Sequence, residues 1–205
     1  MMPDNAEVYA ARYAAGQAVL RYPAEWVVRA NERGVFGPAG QALDYGAGSG
    51  ANAAALRAAG WTVQALDPAP VPGQGVGPIA ADATTLPCRS GALDLVLANQ
   101  VLYYLETRDQ LVAIIAECRR VLKPTGLLAF SWLGGSNVYH TQGALRPDGR
   151  LDVVARDGRI EVLWPAGAWL SLLPGWTYTC GFTASEFPGK GNNHHALVFA
   201  RPIAV

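Results

Sequence analysis

Strand-length apolar runs alternate with stretches of helical periodicity over the first two thirds of this chain. Tyr9 to Asn31 reads as helix with a break at Tyr22-Pro23, where proline suits the first turn of a second helix. Gln41 to Tyr45 is a short apolar strand that runs into a glycine cluster, and Ala51 to Ala59 is an alanine-rich helix closed by Gly60. Trp61 to Leu66, Gly77 to Ala81 and Ala92 to Ala98 read as three further strands. In Asp109 to Leu122, Leu111, Ile114, Ile115, Cys118 and Val121 recur at helical spacing, and Lys123-Pro124 ends the helix before a fifth strand over Gly126 to Trp132. Such alternation predicts right-handed βαβ units, an α/β doubly wound, mostly parallel sheet with helices on both faces.

Past Trp132 the pattern changes. Leu151 to Ala155 and Arg159 to Trp164 flank Arg156-Asp157-Gly158, which predicts a β-hairpin inserted after strand five. Ala166 to Leu173 is a short helix, and Trp176 to Phe182 and Ala196 to Arg201 are two closing strands. Pro68 to Pro78 carries too much proline and glycine to hold a helix. The expectation is one domain over 1–205, with N-terminal helices in 1–40, a binding core in 41–132 and the hairpin and closing strands in 133–205.

Composition narrows the function. Sixteen basic residues balance sixteen acidic ones, and no run of like charge offers a footprint for nucleic acid, so none is expected as a partner. Apolar stretches such as Leu95 to Ala98 stop far short of a membrane span, and Asp4, Glu7 and Arg12 interrupt the region where an export signal would lie, so a cytoplasmic location is expected. Cys88, Cys118 and Cys180 are odd in number and form no CxxC pair, and the adjacent His194 and His195 point to opposite faces of a strand. No metal site is expected.

The chemistry gathers at Asp44-Tyr45-Gly46-Ala47-Gly48-Ser49-Gly50, between the first strand and its helix. Alternating glycines let the backbone turn tightly and let a ligand lie against it, and Asp44 brings a carboxylate suited to an ammonium group. Asp67 ends the second strand, where an acid accepts hydrogen bonds from ribose hydroxyls, and Asp82 follows the third at the same carboxyl edge. Taken singly, each acid also reads as a solvated loop residue, and the glycines as a tight turn.

LDYGAGSG, the acid in QALDP, ADATTLP, LDLVLANQVLYYL and RRVLKPTGLLAFSW, in that order over Leu43 to Trp132, resemble the class I S-adenosylmethionine-dependent methyltransferases. The resemblance implies a seven-stranded sheet with the last strand antiparallel, and S-adenosylmethionine as cofactor. It implies further that Gly46, Ala47, Gly48 and Gly50 line the methionine end near Asp44, that Asp67 holds the ribose, that Asp82 and Ala83 meet the adenine, and that Asn99 and Gln100 close the side facing the reaction, with Pro68 also counted at the cofactor. The proline-rich loop after Asp67 departs from the family, which usually has a helix there. The YPxEWVVR string at Tyr22 to Arg29 and the closing Asn192 to Arg201 are similar to methyltransferases found with bacterial surface-polysaccharide genes.

The acceptor is then expected to be a small molecule or a glycan, bound near the loops of strands four and five and the hairpin. Tyr103, Tyr104, Trp132, Tyr139 and His140 are candidates for aromatic walls with polar edges, and His140, Tyr103 and Tyr104 for a base. Each has a plainer reading, as loop histidine or core aromatic. Gly46-x-Gly48-x-x-Ala51 also satisfies the dinucleotide fingerprint of a nicotinamide-dependent oxidoreductase, and a silent cofactor-binding partner protein is the non-enzymatic reading.

Overall fold

A computed structural model describes residues 5–17, 19–80, 84–155, 158, 160–186 and 192–203. Helices α1 (Asn5–Ala14) and α2 (Glu25–Glu32) precede β1 (Gln41–Tyr45), α3 (Ala51–Ala58), β2 (Thr62–Asp67) and β3 (Gly77–Pro78). Then come β4 (Leu93–Ala98), α4 (Arg108–Val121), β5 (Leu122–Leu133), α5 (Val138–Gln142), β6 (Ala144–Leu145), β7 (Leu151–Val154), β8 (Ile160–Leu163), β9 (Trp176–Glu186) and β10 (Asn192–Pro202).

Seven strands form one sheet in the order β3-β2-β1-β4-β5-β10-β9. The β1, β2, β3, β4 and β5 pairings are parallel, and β10 inserts antiparallel between β5 and β9, as the resemblance implies. Strand alternation gives each face its own core. Leu43, Val96, Leu128 and Phe130 pack with Leu111, Ile114 and Cys118 of α4. Ala42, Leu95, Leu97 and Ala129 on the opposite face pack with Trp26 and Val27 of α2 and Leu56 of α3.

Three boundaries differ from expectation. The first helix is two helices well apart, because Pro23 forces the preceding residue out of helical conformation and Ala24 caps α2 with extended backbone at φ −62° and ψ 129°. Lys123-Pro124 ends α4 but does not interrupt β5, which starts at Leu122. The pairing jumps from Leu93–Leu122 to Leu95–Leu127, and this bulge absorbs the proline while Lys123 pairs with Asp94 at 2.7 Å. The inserted hairpin gains a third strand, β6, so that β6-β7-β8 form a small antiparallel sheet of their own. Residues 68–76 contain no helix, as their prolines predict. Of the hairpin turn, Arg156, Asp157 and Arg159 lie outside the described residues.

The small sheet is tied to the loop after β4. The Trp164 backbone N–H donates to the Tyr103 carbonyl at 2.9 Å, its indole to the Leu105 carbonyl at 2.7 Å, and the Trp132 indole to the Pro165 carbonyl at 2.9 Å. Helix α1 crosses from the other side, and Asn5 donates to the carbonyls of Tyr104 and Val162. These ties form the upper wall of the site.

Candidate active site

Gly46 and Ala47 both donate their backbone N–H to the Leu66 carbonyl, at 2.8 and 3.0 Å, which lashes the glycine turn to the end of β2. Gly46 and Gly48 have φ of +70° and +55°, a conformation that L side chains rarely adopt. A Cβ on Gly46 would stand 2.3 Å from Val101 Cγ2. Glycine is therefore required by both backbone and space.

Above this turn opens a cavity of about 590 Å³. Gly46, Ala47, Gly48, Ser49, Asp67 and Pro68 line one end, Asn99 and Gln100 its floor, and Tyr104 with Gln110 the other end. Seven of the residues expected at the cofactor (Gly46, Ala47, Gly48, Asp67, Pro68, Asn99 and Gln100) thus come together around one space. Gly50 caps α3 just behind it. Asp82 and Ala83 lie outside the described residues.

The two described acids are held differently. Asp67 Oδ2 accepts the Gly48 N–H at 2.7 Å and Oδ1 the Ala69 N–H at 2.8 Å, so its carboxylate is aimed along the cavity wall. Burial raises its pKa above the usual carboxylate range, against those two N–H groups, which oppose the rise. Asp44 is fully buried behind the turn, and neither of its oxygens closes a hydrogen bond. Burial pushes its pKa up to about 7, with Asp67 adding to the rise and the nearby Ala53 N–H opposing it. A buried carboxyl without a partner is costly, and Asp44, unlike Asp67, is not itself among the cavity walls.

Asn99 is positioned by two donors. Its Oδ1 accepts from the Trp26 indole and from Ser131 Oγ, each at 2.9 Å, so one cavity residue is braced from α2 and from β5. Gln100 has φ of +54°, and its N–H donates to Ser131 Oγ at 2.9 Å, which holds a conformation costing about 1 kcal/mol or more.

Of the expected acceptor residues, only Tyr104 lines the cavity. Tyr103 and Trp132 are packed in the core 5.9 Å apart, 2 % and 0 % exposed, because they point to the α4 side of the sheet. Tyr139 packs against the same core and His140 sits on α5, neither of them among the cavity walls. His194 and His195 face opposite sides: His194 stacks on Phe182 and bonds Ser136, whereas His195 is buried near Tyr103, its pKa pushed down to about 4 by burial.

The cavity's cover comes from helix α1 at the N-terminus, of which the sequence pattern singles out no residue for the site. Asn5, Tyr9 and Tyr13 lie on one face of α1 and line it. Their spacing of four residues is the signal that could have found them. Tyr9 Oη donates to Tyr104 Oη at 2.8 Å, Tyr104 Oη to Glu161 Oε2 at 3.3 Å, and Arg12 pairs with Glu161 Oε1, whose side chain is 1 % exposed.

Residues 43–130 match the family described as a methyltransferase domain. A malonyl-[acyl-carrier protein] O-methyltransferase of Methylococcus capsulatus is 36% identical over 121 residues, 53% of this chain and 43% of that protein. One of the same description from Laribacter hongkongensis is 45% identical over 56 residues, 27% of this chain and 18% of that protein. The matched part of the chain spans less than half the length of these relatives. Among solved structures, the 1,6-didemethyltoxoflavin-N1-methyltransferase of Burkholderia thailandensis, bound to 1,6-didemethyltoxoflavin and S-adenosylhomocysteine, has a TM-score of 0.69 at 19% identity, covering 97% of this chain and 87% of that one. A structure from work on the conversion of a disulfide bond into a thioacetal group in echinomycin biosynthesis also has a TM-score of 0.69, at 18% identity and covering 97% and 93%.

Proposed function

We propose that this chain, whose residues 43–130 match the methyltransferase domain family, is a methyltransferase of the class I Rossmann-like kind that transfers the methyl group of S-adenosylmethionine to an oxygen of a small polar acceptor. One observation carries the reading: the glycine turn is bonded through the Gly48 N–H to Asp67 on the wall of a cavity of about 590 Å³. The residues present suit this cofactor. A backbone cradle without Cβ atoms suits close approach of its methionine portion, the unsatisfied Asp44 carboxyl behind the turn suits its ammonium end, and Asp67 retains lone pairs for ribose hydroxyls.

S-adenosylmethionine, when bound, supplies an electrophilic methyl on a sulfonium. What the protein adds is alignment in a space shielded from water. Asn99 and Gln100 lie between the glycine turn and Tyr104, and the bonds from Trp26 and Ser131 hold them in place. Tyr104 and Gln110 present hydrogen-bonding groups to the acceptor, and Val101 and Leu105 present apolar ones. Among the described residues no lysine, arginine or histidine lines the cavity while Asp67 and Glu106 do, which disfavours an anionic acceptor and leaves a neutral hydroxylated one, a sugar among them, as the reading. Oxygen as the target is supported by the O-methyltransferase relatives. Among the described residues no helix is long and apolar enough to cross a membrane.

The test is transfer of radiolabelled methyl from S-adenosylmethionine to a panel of sugars, phenols and malonyl-acyl carrier protein. Label in a neutral hydroxylated acceptor supports the reading. Label only in the malonyl carrier, or in none while the cofactor binds, overturns the acceptor assignment.

A further inference from the structure

A carboxylate accepts hydrogen bonds and donates none, and a phenol has one proton to give. Those two facts fix the direction of the chain that closes the cavity. Glu161 is buried on β8, its Oε1 paired with Arg12 of α1 and its Oε2 3.3 Å from Tyr104 Oη. Tyr104 must therefore spend its proton on Glu161. Toward Tyr9, 2.8 Å away, Tyr104 has only lone pairs left, so Tyr9 must spend its own proton on Tyr104. The Tyr9 oxygen then has nothing but lone pairs to offer the cavity.

From this we infer that Tyr9 is a specificity-determining residue, an obligate hydrogen-bond acceptor that selects acceptor molecules bearing an O–H or N–H donor and discriminates against their methylated forms. The inference rests on the methyltransferase reading of the same cavity. Tyr9 and Tyr104 both line it, and Tyr13 Oη reaches over Gly48 at the cofactor end, so the phenol of Tyr9 lies on the wall that joins the two ends. Its ring is clamped: Arg12 lies 5.1 Å over one face, and Tyr104 meets it edge-on with centroids 5.4 Å apart. Burial, with the Glu161 charge adding to it, pushes the Tyr9 phenol up to about 12, so it keeps its proton at neutral pH and the direction of the chain does not change. A hydroxyl can donate to Tyr9, whereas its methyl ether has no donor and meets an oxygen that repels its own, so the ether is bound more weakly than the alcohol.

Glu161 and Arg12 act through Tyr104 and are positioning residues. Three elements from distant parts of the chain, α1, the loop after β4 and β8, must all be in place for the direction to be set.

The experiment measures binding of phenol and of anisole, a donor and its methyl ether, to the full chain saturated with S-adenosylhomocysteine, by calorimetry or ligand-observed NMR. Wild type should hold phenol about tenfold more tightly than anisole. Tyr9→Phe should bring the ratio to near unity. Tyr104→Phe keeps the Arg12–Glu161 pair and frees the Tyr9 proton to turn into the cavity, so in folded protein the ratio should again collapse through a gain for anisole. Equal affinities in wild type, absence of phenol binding, or an unchanged ratio in folded Tyr104→Phe would overturn the inference. Failure of S-adenosylhomocysteine to bind in the first step would instead strike the methyltransferase reading.

Discussion

The Gly48 backbone N–H donates to Asp67 Oδ2 at 2.7 Å, so the residue expected to meet the ribose also holds the turn expected to cradle the methionine end. Asp67→Ala removes the acceptor of this bond and of the Ala69 N–H. Cofactor affinity should fall by about 1–3 kcal/mol and stability by about 1–2 kcal/mol. Titration of S-adenosylhomocysteine together with urea melts checks both, and an unchanged dissociation constant would reduce Asp67 to a structural bracket.

Gly48→Val forces a β-branched side chain into φ of +55°, with its Cβ 3.0 Å from Tyr13 Oη. The strain is about 1–3 kcal/mol, and the branch occupies the cradle itself. Binding of S-adenosylhomocysteine should weaken by about tenfold or more in protein that still melts cooperatively. Affinity like that of wild type would mean that the ligand does not lie on this turn.

The glycine turn and Asp67 were legible because their chemistry sits on near neighbours at strand ends, where a parallel α/β sheet collects ligands. Tyr9, Arg12 and Glu161 were not, since α1 reaches Glu161 across 149 positions of sequence and only the folded chain makes them neighbours. Tyr103 and Trp132 were ambiguous for a different reason. An aromatic next to a strand end faces cavity or core according to a rotation of one residue, and adjacent Tyr103 and Tyr104 take the two outcomes. The hairpin is expected near the acceptor, but Leu151, Val153 and Leu163 are core residues, so deleting Arg150 to Trp164 would open the core. Point variants are the cleaner probe.

Trp132→Phe should therefore behave as a core substitution. It removes the indole bond to the Pro165 carbonyl and part of a fully buried ring, at a cost of about 1–3 kcal/mol. Thermal unfolding and cofactor titration should show the loss of stability with affinity unchanged. A large loss of affinity with little loss of stability would return Trp132 to the site.

Asp44 predicts a pH dependence. Its carboxyl is raised from 3.8 to about 7 in the fold, so the folded state holds a proton that the unfolded state has released. Its contribution to stability is complete below about pH 4 and is lost as pH rises through 7, a change on the order of 4 kcal/mol. Asp44→Asn cannot titrate, so the stability difference between wild type and variant should shrink or reverse in the variant's favour between pH 5 and 8 in ligand-free protein. A difference that stays flat across that range would place the titration elsewhere.

Calorimetric titration of the purified chain with S-adenosylhomocysteine, and separately with NAD, decides the cofactor. The glycine turn, the unsatisfied Asp44 and the Asp67 bracket predict saturable binding of one S-adenosylhomocysteine per chain and no heat of binding from NAD. Binding of NAD in its place, or of neither ligand to folded protein, would contradict the assignment of this site to methyl transfer.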